Sequence, residues 1–211
     1  CSVIGQAVGT AAAMAVKYNI YARDILEHIE ELQQTLIRDD AYIPGIKTKD
    51  DKNLINKNQC IFTASSCIPG GEPQNINGDY ARRVGKRENA WISGQMQEGG
   101  EWIEIQFPKA VQISSLLLRF DPNFSQLLTP TIDLTCRKNM VPDMPLELVK
   151  DYKIELFHNA ELVEQIMVTE NFLRVNQHLL KEKMTANRIR VTVYANYGDP
   201  HVRIHEIRAY E

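Results

Sequence analysis

Trp102-Ile103-Glu104-Ile105-Gln106-Phe107 alternates at every step and sets Ile103, Ile105 and Phe107 on one face of an extended strand. Outward from this segment the same period of two recurs. Residues 152–158 and 162–169 alternate, and so do residues 188–194, with Ile189, Val191 and Val193 inward. Residues 114–120 are more continuously apolar, as a central strand should be. Turn signals separate these runs and no helical pattern lies between them. The reading is therefore a mainly β unit over residues 60–211, an antiparallel β-sandwich of jelly-roll type, with Trp91 and Trp102 anchoring its core. In the last strand Val202 and Ile204 share one face while Ile207 and Ala209 take the other. A bulge around His205-Glu206 reconciles the two halves and re-aims Glu206. Two loops, 69–87 and 121–149, interrupt the rhythm; loops of such length in a small domain are usually functional or cover an edge.

The first 46 residues follow a different period. Residues 5–17 are mostly helix formers, and Gly5 and Gly9, four apart, leave a smooth face for close packing. Asn19 is suited to end that helix in a left-handed conformation. A second helix follows from Ile25, Leu26, Ile29, Leu32, Leu36 and Ile37, with Glu27, Glu30, Glu31 and Gln34 opposite, and Tyr42-Ile43-Pro44-Gly45 stops it. Residues 47–59 are polar and read as a linker, with Leu54 and Ile55 as its apolar anchors.

The composition bounds the function. The chain has 211 residues, 44% hydrophobic and 24% charged, which excludes a disordered or fibrous protein. Twenty-four basic against 27 acidic residues give a net charge of −3, which argues against a generally basic nucleic-acid binder. The least polar stretch, residues 1–16, is too rich in Ala, Gly and Thr for a transmembrane segment and lacks the basic start of a secretion signal. Its abrupt apolar beginning reads as a piece of a longer chain, and the compartment stays open. Cys1, Cys60, Cys67 and Cys136 have no zinc-like spacing. Cys60 and Cys67 are bridged if they lie on neighbouring strands and are otherwise buried free thiols. No G-x-S-x-G elbow occurs, and Asp39-Asp40 and Asp50-Asp51 lie at a helix end and in the linker, so no catalytic residue is assigned. His201 and His205 are four apart, but on a strand that is about 13 Å, too far to share an ion. His158 and His178 stand alone, and the sequon Asn123-Phe124-Ser125 is uninformative without a host.

Two stretches carry resemblances. Cys1-Ser2-Val3-Ile4-Gly5-Gln6-Ala7-Val8-Gly9-Thr10-Ala11-Ala12-Ala13, followed by Glu31-Leu32-Gln33-Gln34-Thr35-Leu36 and Asp39-Asp40-Ala41-Tyr42-Ile43-Pro44-Gly45, resembles the C-terminal, flavin-contacting end of FAD-dependent oxidoreductases. The resemblance implies that Gly5, Gln6, Ala7 and Gly9 face the flavin in a full-length parent, where the helix N-terminus favours negative charge on the ring. The G-x-G-x-x-G turn that holds the FAD pyrophosphate does not occur in this chain, so FAD is a cofactor of the parent and none is expected here. The implied partner is the missing FAD-binding domain, or a second copy of the chain through the exposed helices.

The second resemblance covers residues 60–211. Ala64-Ser65-Ser66, Asn75-Ile76-Asn77-Gly78, Ala90-Trp91-Ile92-Ser93 and Glu206-Ile207-Arg208-Ala209-Tyr210 resemble a discoidin-like (F5/8 type C), galactose-binding-like sandwich. Glu170-Asn171-Phe172-Leu173-Arg174 and Asn187-Arg188-Ile189-Arg190-Val191 are similar to the version fused to bacterial FAD-dependent oxidoreductases. It implies an accessory binding or docking module for carbohydrate, or a standalone carbohydrate-binding or adhesion module. Sugar-binding relatives grip with loop aromatics and Arg, Asn or His donors, here Tyr80, Arg82, Arg83, Arg87, Phe124, Tyr197 and His201. It also implies a structural calcium on the loop around Asn77 and on Glu206, although Asn77 stands where an Asp is usual. The other reading of those residues is an Asn-stabilised turn, with Glu206 paired to Arg82 or Arg83.

Overall fold

Residues 51–211 are held together by two long strands that each bend through both layers of a sandwich. The computed structural model describes residues 2–124, 132–138 and 143–211, with the backbone alone at 136 and 137. Cys1, the Cys136 side chain and Ser125 of the sequon lie outside the described residues. Among the described residues there are seven strands: β1 (Ile61–Ala64), β2 (Trp91–Gln95), β3 (Glu101–Phe120), β4 (Val149–His158), β5 (Glu161–Val168), β6 (Val175–Asn196) and β7 (His201–Tyr210). All pair antiparallel in the order β2-β7-β3-β6-β4-β5, with β1 added against β3.

The first half of β3 pairs with β1 and with the end of β6, placing Ile103 opposite Val191 and Ile105 opposite Ile189. Its second half pairs with β7 and with the beginning of β6, with Leu118 opposite both Ile207 and Asn176. Between the halves the register with β6 slips from Gln106 to Val111. Pro108 lies in that gap; it has no N–H to give a ladder, so the strand turns there. Ile103, Ile105, Phe107, Trp91, Phe120, Tyr152 and Ile189 fill the space between the layers. The alternation read from the sequence is therefore the alternation of burial. Trp102 is a correction: parity with its buried neighbours puts it on the outer face, where the Arg190 guanidinium lies 4.6 Å from its ring. The bulge in the last strand is present. Glu206 pairs with Arg119 and Ile204 with Phe120, so His205 is the extra residue.

Residues 1–50 form a separate helical unit. Helix α1 (Ser2–Tyr18) closes with Asn19 at φ 53°, where Ile20 N–H reaches Ala15 O at 3.0 Å. A 3₁₀ turn (Ala22–His28) leads into α2 (Ile29–Arg38), so the expected second helix is split in two. Met14, Ile25, Leu32 and Leu36 make its small core. Tyr18 donates to Glu31 at 2.6 Å and stacks on His28 with ring centroids 4.6 Å apart.

The boundary falls between Asp50 and Asp51. The polar stretch 47–59 is thus not a linker throughout. Its second half forms helix α3 (Leu54–Lys57), and Ile55 is fully buried in the sandwich core. Asn53 Oδ1 accepts both Ile55 N–H and Ala209 N–H, each at 3.2 Å, and so ties α3 to β7.

Candidate functional site

The end of β3, the start of β6 and the start of β7 meet at one end of the sandwich, since Arg119 faces Val175 and Phe120 faces Ile204 across the ladders. The segments entering or leaving these strands are gathered there, together with the loop before β2. Arg174, just ahead of β6, fastens them. Its Nη1 donates to Phe120 O at 2.6 Å and its Nη2 to Ala81 O at 2.5 Å. Its guanidinium also lies 4.8 Å from the centroid of the Phe124 ring, and that of Arg82 lies 4.9 Å from the same ring. Phe124 remains 53% exposed. An aromatic ring is thus held beside two cations with about half its surface in water.

Polar contacts beneath fix this arrangement. Asn89, at φ 49°, donates through Nδ2 to Arg82 O at 2.9 Å. His205 places Nδ1 2.9 Å from Asn89 O and Nε2 3.5 Å from Asp121 Oδ1. Burial works against ionisation of Asp121; the hydrogen bond and charge of His205, the Asn123 N–H and the charge of Arg203 outweigh it and hold the carboxyl below its usual range. Asp121 Oδ1 also accepts Asn123 N–H at 2.8 Å, a turn that brings Phe124 outward. The bulge residue His205 therefore braces the segment that carries Phe124.

Beyond Arg82 the loop forms a small hairpin. Val84 N–H donates to Arg87 O at 2.9 Å and Arg87 N–H to Val84 O at 3.1 Å, with Gly85 at φ 60° in the turn. Lys86 and Arg87 stand exposed at its tip. Arg83 donates to Gly85 O at 3.2 Å and lies 3.5 Å from Glu88.

The other expected ligand residues are placed differently. Tyr80 is half-buried in the same loop. Tyr197 donates its hydroxyl to Asn171 O at 2.9 Å, with Lys150 Nζ 5.7 Å from its ring. His201 sets Nδ1 3.0 Å from Ser93 O. These two rings hold the scaffold. Sequence reasoning named Arg82 and Phe124 but missed Arg174, Asn89 and Asp121. Arg174 ends the segment Glu170-Asn171-Phe172-Leu173-Arg174, and only the fold shows that a residue 50 positions from Phe124 stands against it.

The donor set around Asn77 and Glu206 does not fit a dication. Asn77 ends the 3₁₀ turn Pro73–Asn77, which packs on β7, but its side chain is exposed. Glu206 is buried, with Oε2 bonded to Arg119 Nη1 and Oε1 accepting from Arg208 Nη2 at 2.6 Å. Two guanidinium groups take the oxygens that a calcium would need and repel a further cation. The partners of Glu206 are thus Arg119 and Arg208, not Arg82 or Arg83. Among the described residues no group of three or more His, Cys, Asp and Glu is placed to hold a metal. Cys60 and Cys67 are unbridged. Burial pushes the Cys60 thiol up to about 11, whereas Cys67 is exposed rather than buried.

In the helical unit, Gly5 and Gly9 have no neighbour within 4 Å of an added Cβ, so the smooth face is open rather than closely packed. Ala7 turns inward against the small core, and Gln6 donates to Asp39 O at 3.3 Å. The four positions do not share one face. No helix among the described residues is long and apolar enough to cross a membrane.

No protein-family model matches the chain. No curated protein matches it by sequence. Solved structures do. The family 32 carbohydrate-binding module of Streptococcus pneumoniae EndoD is similar at a TM-score of 0.54 and 16% identity, the match covering 75% of this chain and 99% of that one. The lectin domain of lectinolysin, solved with Lewis b antigen, is similar at 0.55 and 10% identity over 77% of this chain and 99% of that one. A fucose-binding module from Streptococcus pneumoniae is similar at 0.54 and 15% identity, over 77% and 99%. At these identities the likeness is one of fold: the protein shares the galactose-binding-like β-sandwich of these modules, preceded by a short helical segment.

Proposed function

We propose that the sandwich binds carbohydrate at the loop end where Phe124 lies beside Arg82 and Arg174. The observation that carries this reading is an aromatic ring 53% exposed on a braced loop, with two guanidinium groups 4.8 and 4.9 Å from its centroid. A pyranose presents a face of C–H groups that rests on an aromatic ring, and its hydroxyls accept from a planar guanidinium. The similarity of fold to modules solved as sugar binders supports it. The test is a glycan array followed by calorimetry on Phe124→Ala and Arg82→Ala. Each should weaken binding about tenfold or more, since the stacking ring or a bidentate donor is lost, with the melting temperature unchanged. Wild-type affinity in both variants would overturn the reading.

A second reading concerns the helical unit and rests on the apolar face of α1, where Val3, Ile4, Val8 and Val16 are exposed beside Gly5 and Gly9. A helix apolar all round is normally covered. In this reading the cover is the rest of a FAD-dependent oxidoreductase domain, to which the sandwich is an accessory; otherwise the sandwich is a standalone carbohydrate-binding or adhesion module. A G-x-G-x-x-G strand–turn–helix in the reading frame upstream of Cys1 supports the first, and its absence the second. The chain alone has no pyrophosphate cradle and should purify without flavin absorbance.

A further inference from the structure

The acids and bases at the loop end of the sandwich are sorted. Asp121 is taken by Asn123 N–H and His205, and Asp199 accepts His201 N–H at 2.6 Å and lies 3.3 Å from Arg203. Glu147 is buried and accepts from Asn123 Nδ2 at 2.5 Å, and Glu88 lies against Arg83. These four carboxylates have partners within the protein; Asp79 is exposed in the same loop as Lys86 and Arg87, which project from the hairpin into water. Lys86 and Arg87 are adjacent exposed cations in a chain of net charge −3. A two-residue turn closed by paired backbone hydrogen bonds is a rigid mount. Lys86 is four residues along from Arg82, so at most about 14 Å away by chain reach, and the hairpin folds Arg87 back toward it. Arg82 in turn stands against Phe124. The basic tip thus stands within reach of the residue that lies against the ring, on the same loop.

We infer that the carbohydrate taken at this end is an acidic one, a sugar face resting on Phe124 while a carboxylate or sulfate of a neighbouring unit is held by Lys86 and Arg87. This rests on the carbohydrate reading above and names its ligand class. Guanidinium and ammonium donors bind such oxyanions by charge-assisted hydrogen bonds, and exposed pairs of this kind weaken as salt screens them.

The experiment compares the whole chain on a neutral galactan, a galacturonate oligomer, a sulfated galactan and, as a non-sugar polyanion, poly-aspartate, each at low and high salt. The acidic glycans should bind about tenfold tighter than the neutral one at low salt, and the difference should shrink at high salt. Lys86→Gln with Arg87→Gln should remove that difference. Equal affinity for neutral and acidic glycans, indifferent to salt, overturns the inference and leaves the carbohydrate reading standing. Poly-aspartate binding as tightly as galacturonate also overturns it, as charge attraction alone. Silence toward every glycan, neutral and acidic, removes the carbohydrate reading itself.

Discussion

Glu206 shows how one residue's role is set by what folds around it. Its sequence position, beside a parity break in the last strand, marks it as aimed somewhere unusual. The bulge at His205 turns its carboxylate between Arg119 and Arg208, and all three residues are at most 6% exposed. Burial works against the Arg208 charge, but the Glu206 carboxylate outweighs it and holds the guanidinium above its ordinary range. Two cations around one anion are tolerated in a core only while the anion is present. Glu206→Gln should therefore lower unfolding free energy by about 3–5 kcal/mol, read by urea denaturation, because it removes the buried negative charge that both guanidinium groups bond. By the same geometry, calcium or a chelator should leave the melting temperature of the wild-type protein unchanged. A calcium-dependent rise would mean that Glu206 leaves its arginines for a metal.

At the scale of elements, the sequence was legible wherever one face of a strand is buried. β4 from Tyr152 and the second half of β6 alternate in sequence largely as they do in burial, and the break in β7 correctly marks a bulge, whereas β5 buries none of its residues and loses its alternation at Val163-Glu164. The first half of β6 was not legible. Val175-Asn176-Gln177-His178-Leu179-Leu180 alternates poorly: Leu179 is exposed, while His178 packs its ring against Tyr152 with a 2.9 Å contact to its hydroxyl. The four-residue α3 was equally hidden, because a single turn has no periodicity and Ile55 is buried by elements distant in sequence. That turn carries a test. A chain beginning at Asp51 should keep the stability of the sandwich, whereas one beginning at Cys60 loses Ile55 and the Asn53 bond to Ala209. The shorter chain should be less stable by about 2–5 kcal/mol or fail to fold cooperatively, as measured by chemical denaturation. Equal stability of the two would restore 51–59 to the role of linker. The candidate site was legible only in its parts. Arg82 and Phe124 announce themselves as loop residues, but their meeting depends on Arg174 and on the register that joins the ends of β3, β6 and β7.

The molecule as a whole is two units of unequal kind, a helical pair with a four-residue core and a sandwich with a continuous one. In the sandwich, β3 and β6 belong to both layers, and this has a consequence for how it opens. Layers joined only by loops can fray one at a time; layers that share covalently continuous strands open together. The amides of Ile105 and Leu118 lie in opposite layers but on the same strand, each paired on both sides. Native-state hydrogen exchange should give both the same opening free energy, equal to that of global unfolding, whereas β5, paired only at its β4 edge, exchanges through smaller openings. A markedly lower value at either amide would show that the layers part independently. The loop end sits where three of these strand ends meet, so the surface around Arg82, Phe124 and Arg174 should hold its shape until the entire sandwich gives way, reporting on the protein's integrity as an all-or-none signal.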